Sequence, residues 1–431
     1  MTAIDAAEER APVWRGGFGR LWSAAVLSSF GDSLRAAALP LLAVSLTDRP
    51  MLIASVTACG YLPWLVFGLL GGAVADRVDQ RRAMWRTDLV RALLAGAFAA
   101  AVGLGHAGIA LLIAFAFALT TLGTLFDNAA TALLPALVAP AALGSANARL
   151  LTGQRIAGGL LAAPLVPLLS GYGTALPFAA DAVTYLAAAA LVASLAAAAP
   201  PREPCPAGSG LRADIAEGLR ALRGDRALRG LCAAALCNIG MGALIATLVV
   251  LVTDGLGAGS TGFVAATTAF TVGGLAGGAA SGALTGRLGR VRAVFLAGTA
   301  QTAALIAMGT VRSLPVLLAA MAVFGFMGML WNVNTTTLMQ QRSPEGMLGR
   351  ISAAFRTLAV SGAPLGALLG GAVATAWGSL RPPLLAAALF VLALAALLPA
   401  AHTPAPEGPV PEAPAPGGHP ADTRRTAHPE P

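Results

Sequence analysis

Lysine is absent from this chain; all 28 basic residues are arginine. That absence excludes chemistry. No lysine is available for a Walker-type phosphate loop or for a Schiff base. Arginine in place of lysine, beside abundant alanine, is expected from the codon bias of a GC-rich bacterium rather than from mechanism. Histidine and cysteine are scarce, with four of each. His106 lies in a short gap, and His402, His419 and His428 lie in the tail. Neither an HExxH pattern nor a Cys/His cluster occurs, so neither a metal nor a cofactor is expected. Cys59, Cys232 and Cys237 fall in apolar runs and Cys205 in a loop, none in a CxxC pair. They are expected to be small apolar filler. Charge is scarce as well, at 11%, against about 25% in soluble domains. A net charge of +8 suggests nucleic acid only until the arginines are located. They sit in gaps between apolar stretches, and no nucleic-acid partner is expected.

What the chain has is apolar length. It is 57% hydrophobic, with mean hydropathy +0.75. Apolar runs of about 20 residues match the ~30 Å hydrocarbon core of a bilayer. Lipid offers the backbone no partners, so such runs must be helical. Twelve are read, at about 20–46, 51–75, 84–104, 108–125, 150–169 and 175–198, then 230–253, 261–284, 293–311, 315–339, 351–375 and 383–400. The expected fold is an all-α polytopic membrane protein of twelve transmembrane helices in two six-helix pseudo-repeats. The expected organisation is an N-terminal tail (1–18), a first bundle (19–199), a linker (200–229), a second bundle (230–400) and a disordered tail (401–431). In the linker, Leu211, Ile215, Leu219 and Leu222 recur at helical spacing among arginines, which predicts an amphipathic helix on the membrane surface.

Arginine placement sets the topology. One set of alternate gaps holds Arg10, Arg15, Arg20, Arg77, Arg81, Arg82, Arg86, Arg149 and the linker group, then Arg287, Arg290, Arg292, Arg342 and Arg350. The opposite gaps hold Arg49, Arg312 and Arg381. The positive-inside rule places both termini in the cytoplasm, as an even number of spans also requires. The halves echo each other. Ala163-Pro164-Leu165 followed by Leu168-Leu169 returns as Ala363-Pro364-Leu365 followed by Leu368-Leu369. Gly72-Ala-Val-Ala-Asp76-Arg77 returns as Gly282-Ala-Leu-Thr-Gly286-Arg287. Repeated halves are a transporter plan, with the substrate site between them near mid-membrane. Pro164, Pro364 and Gly366 are read as helix-packing positions.

The stretch Gly72-xxx-Asp76-Arg77-xxx-Arg81-Arg82 resembles the loop signature between helices 2 and 3 of the major facilitator superfamily, with Asp79 where glycine is usual. Three further stretches resemble its drug- and siderophore-exporter branch, which includes macrolide efflux proteins. They are SSFGDSLRAAALPLLA, EGLRALRGDRALRGL, and the segment from NVNTTTLMQQRSPEG to SGAPLGALLGG. The resemblance covers roughly residues 18–400. It implies secondary active transport by alternating access: proton-coupled export, as an antiporter, of a small amphipathic compound such as an antibiotic, drug, siderophore or secreted metabolite. It also implies that Asp76 meets the start of span 11, here Arg350 and Ile351, in a cytoplasmic gate completed by Gly72, Arg77, Arg81 and Arg82. The expected setting is a bacterial cytoplasmic membrane, with protons, lipids and a small-molecule substrate as partners and the protein as a monomer. Uptake or lysophospholipid transport on the same fold stays open. A membrane enzyme needs a clustered nucleophile, metal or paired carboxylates at one membrane face, and a sensor needs a signalling domain; neither is evident.

Ionisable groups within a span are costly and become functional candidates. Asp32 and Arg35, at i and i+3 in span 1, share a face and are candidates for proton coupling, as is Asp181 in span 6; Arg35 is equally a candidate for holding an anion. Asp88 and Arg91 are expected at the membrane interface. Asp127 and Asn128 are expected to close span 4 as capping residues. Arg155 and Arg356 are expected to reach headgroups by snorkelling, and Asp254 to be solvated. Phe30, Tyr61, Trp64, Phe126, Phe324 and Trp331 are candidates for an apolar pocket. Asn238, Asn332 and Asn334 are candidates to line it or to bond between helices.

Overall fold

The structure, a computed structural model, describes residues 17–75, 79–138, 142–195, 235–342 and 348–401. The surface helix read in 200–229 and both tails, apart from their innermost residues, lie outside the described residues. Every regular element among the described residues is helical. In chain order these are α1 (Phe18–Leu46), α2 (Pro50–Ala75), α3 (Gln80–Gly103), α4 (Ile109–Leu137) and α5 (Leu143–Tyr172). Then come α6 (Leu176–Ala193), α7 (Ala235–Val250, continued by Leu251–Gly255), α8 (Gly259–Leu288), α9 (Arg290–Thr310), α10 (Leu314–Arg342), α11 (Leu348–Trp377) and α12 (Arg381–Ala401). Nine helices among the described residues are long and apolar enough to cross a membrane. The α8–α9 connection is one residue, Gly289 at φ 76°, a left-handed conformation that favours glycine.

The neighbours repeat with a period of six helices. In the first half α2 packs on α4, α3 on α6, α1 on α6 and α3 on α4. In the second half α8 packs on α10, α9 on α12, α7 on α12 and α9 on α10. The halves meet where α2 packs on α11 and α5 on α8, which are equivalent pairs under that repeat. Ala54, Ala58, Ala246 and Ala367 form one such contact, and Gly371 lies against Met51 and Ala54. This contact lies at the end that carries the α1–α2 turn, opposite the start of α1.

Lipid is as apolar as leucine, so helices in it associate through close packing of small residues rather than through the hydrophobic effect. The second half shows this directly. A Cβ on Gly366 would meet the Ile239 carbonyl, and one on Gly242 would meet that of Ala363, so α7 and α11 touch backbone to backbone. Gly273 and Gly277 of α8 face the carbonyls of Ala322 and Phe326 on α10 in the same way. In the first half the stacked Phe98 and Phe115, with Phe178 edge-on, join α3, α4 and α6. Leu93, Leu168, Val183 and Leu392 remain exposed, as lipid-facing side chains do.

Helix α5 is not uniform. Residues Ile156–Ala162 wind as a π-helix before the α-helix resumes at Ala163. Pro164 and Pro167 follow at once. A proline lacks the N–H and crowds the carbonyl four residues back, a strain that a wider turn just before it relieves. Pro364 sits within the continuous helix α11. The wide turn in α5 places Gly158 and Gly159 at the centre of the molecule, against Ser33 of α1 and Thr271 of α8.

Candidate functional site: a buried charge network facing a central cavity

Three helices bring charge together in the first half. On α1, Ser28, Asp32 and Arg35 lie along one face at helical spacing. On α3, Asp88 and Arg91 do so, and on α6 Asp181 and Tyr185. Arg91 is the hub and is 1% exposed. Its Nη1 donates to Ser28 Oγ and Asp88 Oδ1, both at 3.0 Å. Its Nη2 donates to Asp32 Oδ1 at 2.5 Å and to the Tyr185 hydroxyl at 2.8 Å. The guanidinium also lies over the Tyr185 ring, 4.0 Å from its centroid, a cation–π contact. Tyr185 donates to Asp32 Oδ1 at 2.6 Å, and Arg35 Nη2 donates to the same oxygen at 2.7 Å. Three donors thus converge on one carboxylate oxygen.

Asp181 is held differently. It is fully buried, and Arg35 Nε lies 3.5 Å from its Oδ2. Neither of its oxygens accepts a hydrogen bond. Gly31 lets α1 come this close, because a Cβ there would strike Thr184 Oγ1 and Asp181 Oδ1. Asp32, Asp88 and Asp181 therefore face Arg35 and Arg91, three carboxylates against two guanidiniums.

The network opens onto two joined chambers through Asp32. The first is a largely apolar cavity of about 600 Å³ between the halves, walled by Tyr61, Trp64, Phe263, Phe270, Met321 and Phe324. The second, of about 580 Å³, is a polar vestibule with Ser29, Thr131, Asn147, Gln154 and Arg155 on its walls. Ser33, Asp127, Gly158, Gly159 and Thr271 border both.

Four of the aromatic candidates border these chambers: Tyr61, Trp64 and Phe324 the first, and Phe126 the second. Others lie elsewhere. Phe30 packs against the core, and Trp331 packs against the core and Phe390. Asn334 is buried between helices, accepting from Thr285 of α8 and donating to Leu330. Asn238 and Asn332 border neither chamber.

Two expectations are corrected. Asp88 and Arg91 are not interfacial but buried at the network's centre. Helix α3 starts at Gln80, ahead of the apolar run at Met84, so Arg91 lies about 16 Å along it at 1.5 Å per residue. Nor does Asp127 close α4. The helix continues to Leu137, and Asn128 donates to the Thr124 carbonyl rather than capping an end. Tyr185 was signalled only by its place one turn after Asp181.

The loop signature is described in part; Asp76 and Arg77 lie outside the described residues, and Gly72 lies near the end of α2. Arg81 donates to the carbonyls of Val192 and Ala193. The Val192 carbonyl also accepts from the Leu195 N–H, so Arg81 adds a second donor there and supplies one to Ala193 at the end of α6. The unusual Asp79 is the N-cap of α3, accepting from the Arg82 N–H at 3.0 Å and pairing with the Arg82 guanidinium at 3.3 Å. Asp79→Ala is expected to cost about 1 kcal/mol, measured as a small fall in the unfolding midpoint of purified protein. Asp79→Asn, which keeps the cap acceptor, is expected to cost less.

Residues 21–367 match the model of the Major Facilitator Superfamily. The chain belongs to this superfamily. No curated protein sequence matches it. Solved structures agree on the major facilitator fold at low identity. The nucleoside transporter NupG superposes with TM-score 0.69 at 13% identity, covering 89% of this chain and 100% of that one. A bacterial homologue of the iron transporter ferroportin, solved inward-facing, gives 0.71 at 16%, covering 90% and 99%. A bacterial homologue of the lysosomal transporter Spinster, also inward-facing, gives 0.68 at 13%, covering 91% and 99%. This major facilitator protein is thus a multi-pass membrane protein with a transporter fold.

Proposed function

We propose that this protein is a proton-coupled secondary transporter that exports a small amphipathic compound, such as an antibiotic, drug, siderophore or secreted metabolite, across a bacterial cytoplasmic membrane as a monomer. The observation that carries the reading is the buried network of three carboxylates and two guanidiniums opening on the central cavity through Asp32. Uncompensated charge in a membrane protein's interior is costly, and a proton is the smallest species that removes it. Arg35 stands between Asp32 at 2.7 Å and Asp181 at 3.5 Å. Protonating either carboxylate releases Arg35 to the other and shifts the α1–α6 contact. That contact borders the cavity that substrate must leave.

The arginine-rich gaps support cytoplasmic termini. With that orientation, the closed α2–α11 contact faces outward and the polar vestibule leads inward. Alternation then rocks the bundles 19–199 and 230–400 about the shared cavity. The motif Gly72, Asp76, Arg77, Arg81 and Arg82 stands at the cytoplasmic rim as a gate.

The test is retention of labelled antibiotics, dyes and siderophores in bacteria lacking their own pumps. Wild type is expected to lower retention of at least one compound, and a protonophore to abolish the effect. Asp32→Asn and Asp181→Asn are each expected to reduce export at least tenfold. Export unaffected by the protonophore would remove proton coupling. A well-inserted protein that lowers retention of no compound would remove export and favour uptake or lipid transport.

A further inference from the structure

Asp127 is a carboxylate that the network does not use. It lies on α4 at the boundary of the two chambers, bordering both, and its side chain is exposed to them. Among the described residues no cation pairs with it and no donor bonds its carboxylate. Thr131 Oγ1 donates to its backbone carbonyl instead. The cations of the apolar chamber are already engaged. Arg35 is held by Asp32 and Asp181, and Arg91 by Asp32 and Asp88. Arg155, the remaining cation on the vestibule wall, makes no ion pair with Asp127. A carboxyl group that faces the chambers of a membrane protein without a protein partner is available to a partner from outside.

We propose that Asp127 receives the positively charged centre of an amphipathic organic cation whose apolar body fills the aromatic chamber. This deepens the transport reading above by naming its substrate class. The chamber's size, about 600 Å³, falls within the range of drug-sized sites. Its walls supply what such a body needs. Trp64, Tyr61, Phe263 and Phe324 offer apolar area, and aromatic faces attract a cation's charge. The adjoining network favours the same sign, because its carboxylates outnumber its guanidiniums. An anion would meet Asp127 and Asp32 together, and a neutral ligand would leave Asp127 unpaired. The vestibule beside Asp127 carries Ser29, Ser33, Thr131 and Gln154, which hydrate a polar headgroup or take its hydrogen bonds.

The test compares two ions of equal size and shape and opposite charge on purified, detergent-solubilised protein. Equilibrium dialysis measures radiolabelled tetraphenylphosphonium and tetraphenylborate. Wild type is expected to bind the phosphonium at least tenfold more tightly than the borate. Asp127→Asn is expected to weaken the phosphonium by about tenfold, the effect of one lost charge contact, and to erase the preference. Asp127→Glu is expected to retain it. Retained borate binding and a monodisperse elution profile show that the Asn variant is folded. Equal or tighter borate binding in wild type, an unchanged phosphonium affinity in Asp127→Asn, or binding of neither ion would each overturn the proposal. No gradient is present in this assay. Asp127-dependent binding without export in cells leaves the site and removes the export reading, and export without a charge preference does the reverse.

Discussion

Arg91→Ala is expected to destabilise the protein by about 3–5 kcal/mol, the cost of breaking a buried ion pair from one side. One guanidinium bonds Ser28, Asp32, Asp88 and Tyr185, joining α1, α3 and α6. Its removal leaves Asp88 fully buried with no other described cation bonded to it. Tyr185 also loses the charge over its ring. Lysine is not expected to rescue, because a compact ammonium cannot span partners arranged around a planar fork. The measurement is the thermal unfolding midpoint in detergent. Removing charge from both sides provides the control. Arg91→Met combined with Asp88→Leu is expected to recover much of the loss, since well-packed apolar replacements of buried pairs are often neutral. An Arg91→Ala midpoint equal to wild type would show that the network does not hold these helices together.

The second large effect is expected at Gly366. A Cβ there would meet the carbonyl, carbonyl carbon and Cα of Ile239, and Gly242 faces Ala363 reciprocally. Backbone cannot rotate out of the way as a side chain can, so any substitution pushes α7 from α11. Gly366→Leu is expected to cost at least the 1–3 kcal/mol typical of overpacking, seen as a lower midpoint and a smaller monodisperse fraction. Gly282→Ala is the contrast. It lies in helix α8 with nothing within 4 Å of the added Cβ. Helix propensity alone then favours alanine by up to about 1 kcal/mol. Equal effects at the two positions would mean that the α7–α11 approach is not close-packed in solution.

Much of the fold can be read without coordinates, because the bilayer imposes a single rule on every span. Apolar runs located the helices, although their ends shifted wherever polar residues continue a helix past the apolar region. Gln80 and the two arginines after it extend α3, and Asp127 and Asn128 lie well inside α4. Those extensions are why the apolar pattern alone points to an interfacial Asp88 and Arg91 and to a capping Asp127. Asp32 and Arg35 stand out in sequence because a charged pair at i and i+3 is rare in an apolar run. Nothing local shows that Asp181, on another helix, lies beside Arg35, or that Tyr185 donates to Asp32. Helix periodicity defines a face but not the neighbour it meets. Asn334 illustrates the same gap, since an asparagine in a span needs a partner and sequence does not say whether that is substrate or Thr285.

All buried charged side chains among the described residues, Arg35, Asp88, Arg91 and Asp181, belong to the first six helices. Among these buried groups, the charge available to the membrane voltage therefore lies in one half of the molecule. Moving an elementary charge fully across a membrane at 100 mV involves about 2.3 kcal/mol. Paired charges that move together contribute nothing, so only the surplus carboxylate couples to the field. Asp127 adds a further carboxylate to the same half, outside the network, and a cation seated on it offsets that charge. On the proposed transport reading, the loaded and empty forms then differ in net charge, and membrane potential weights their alternation differently.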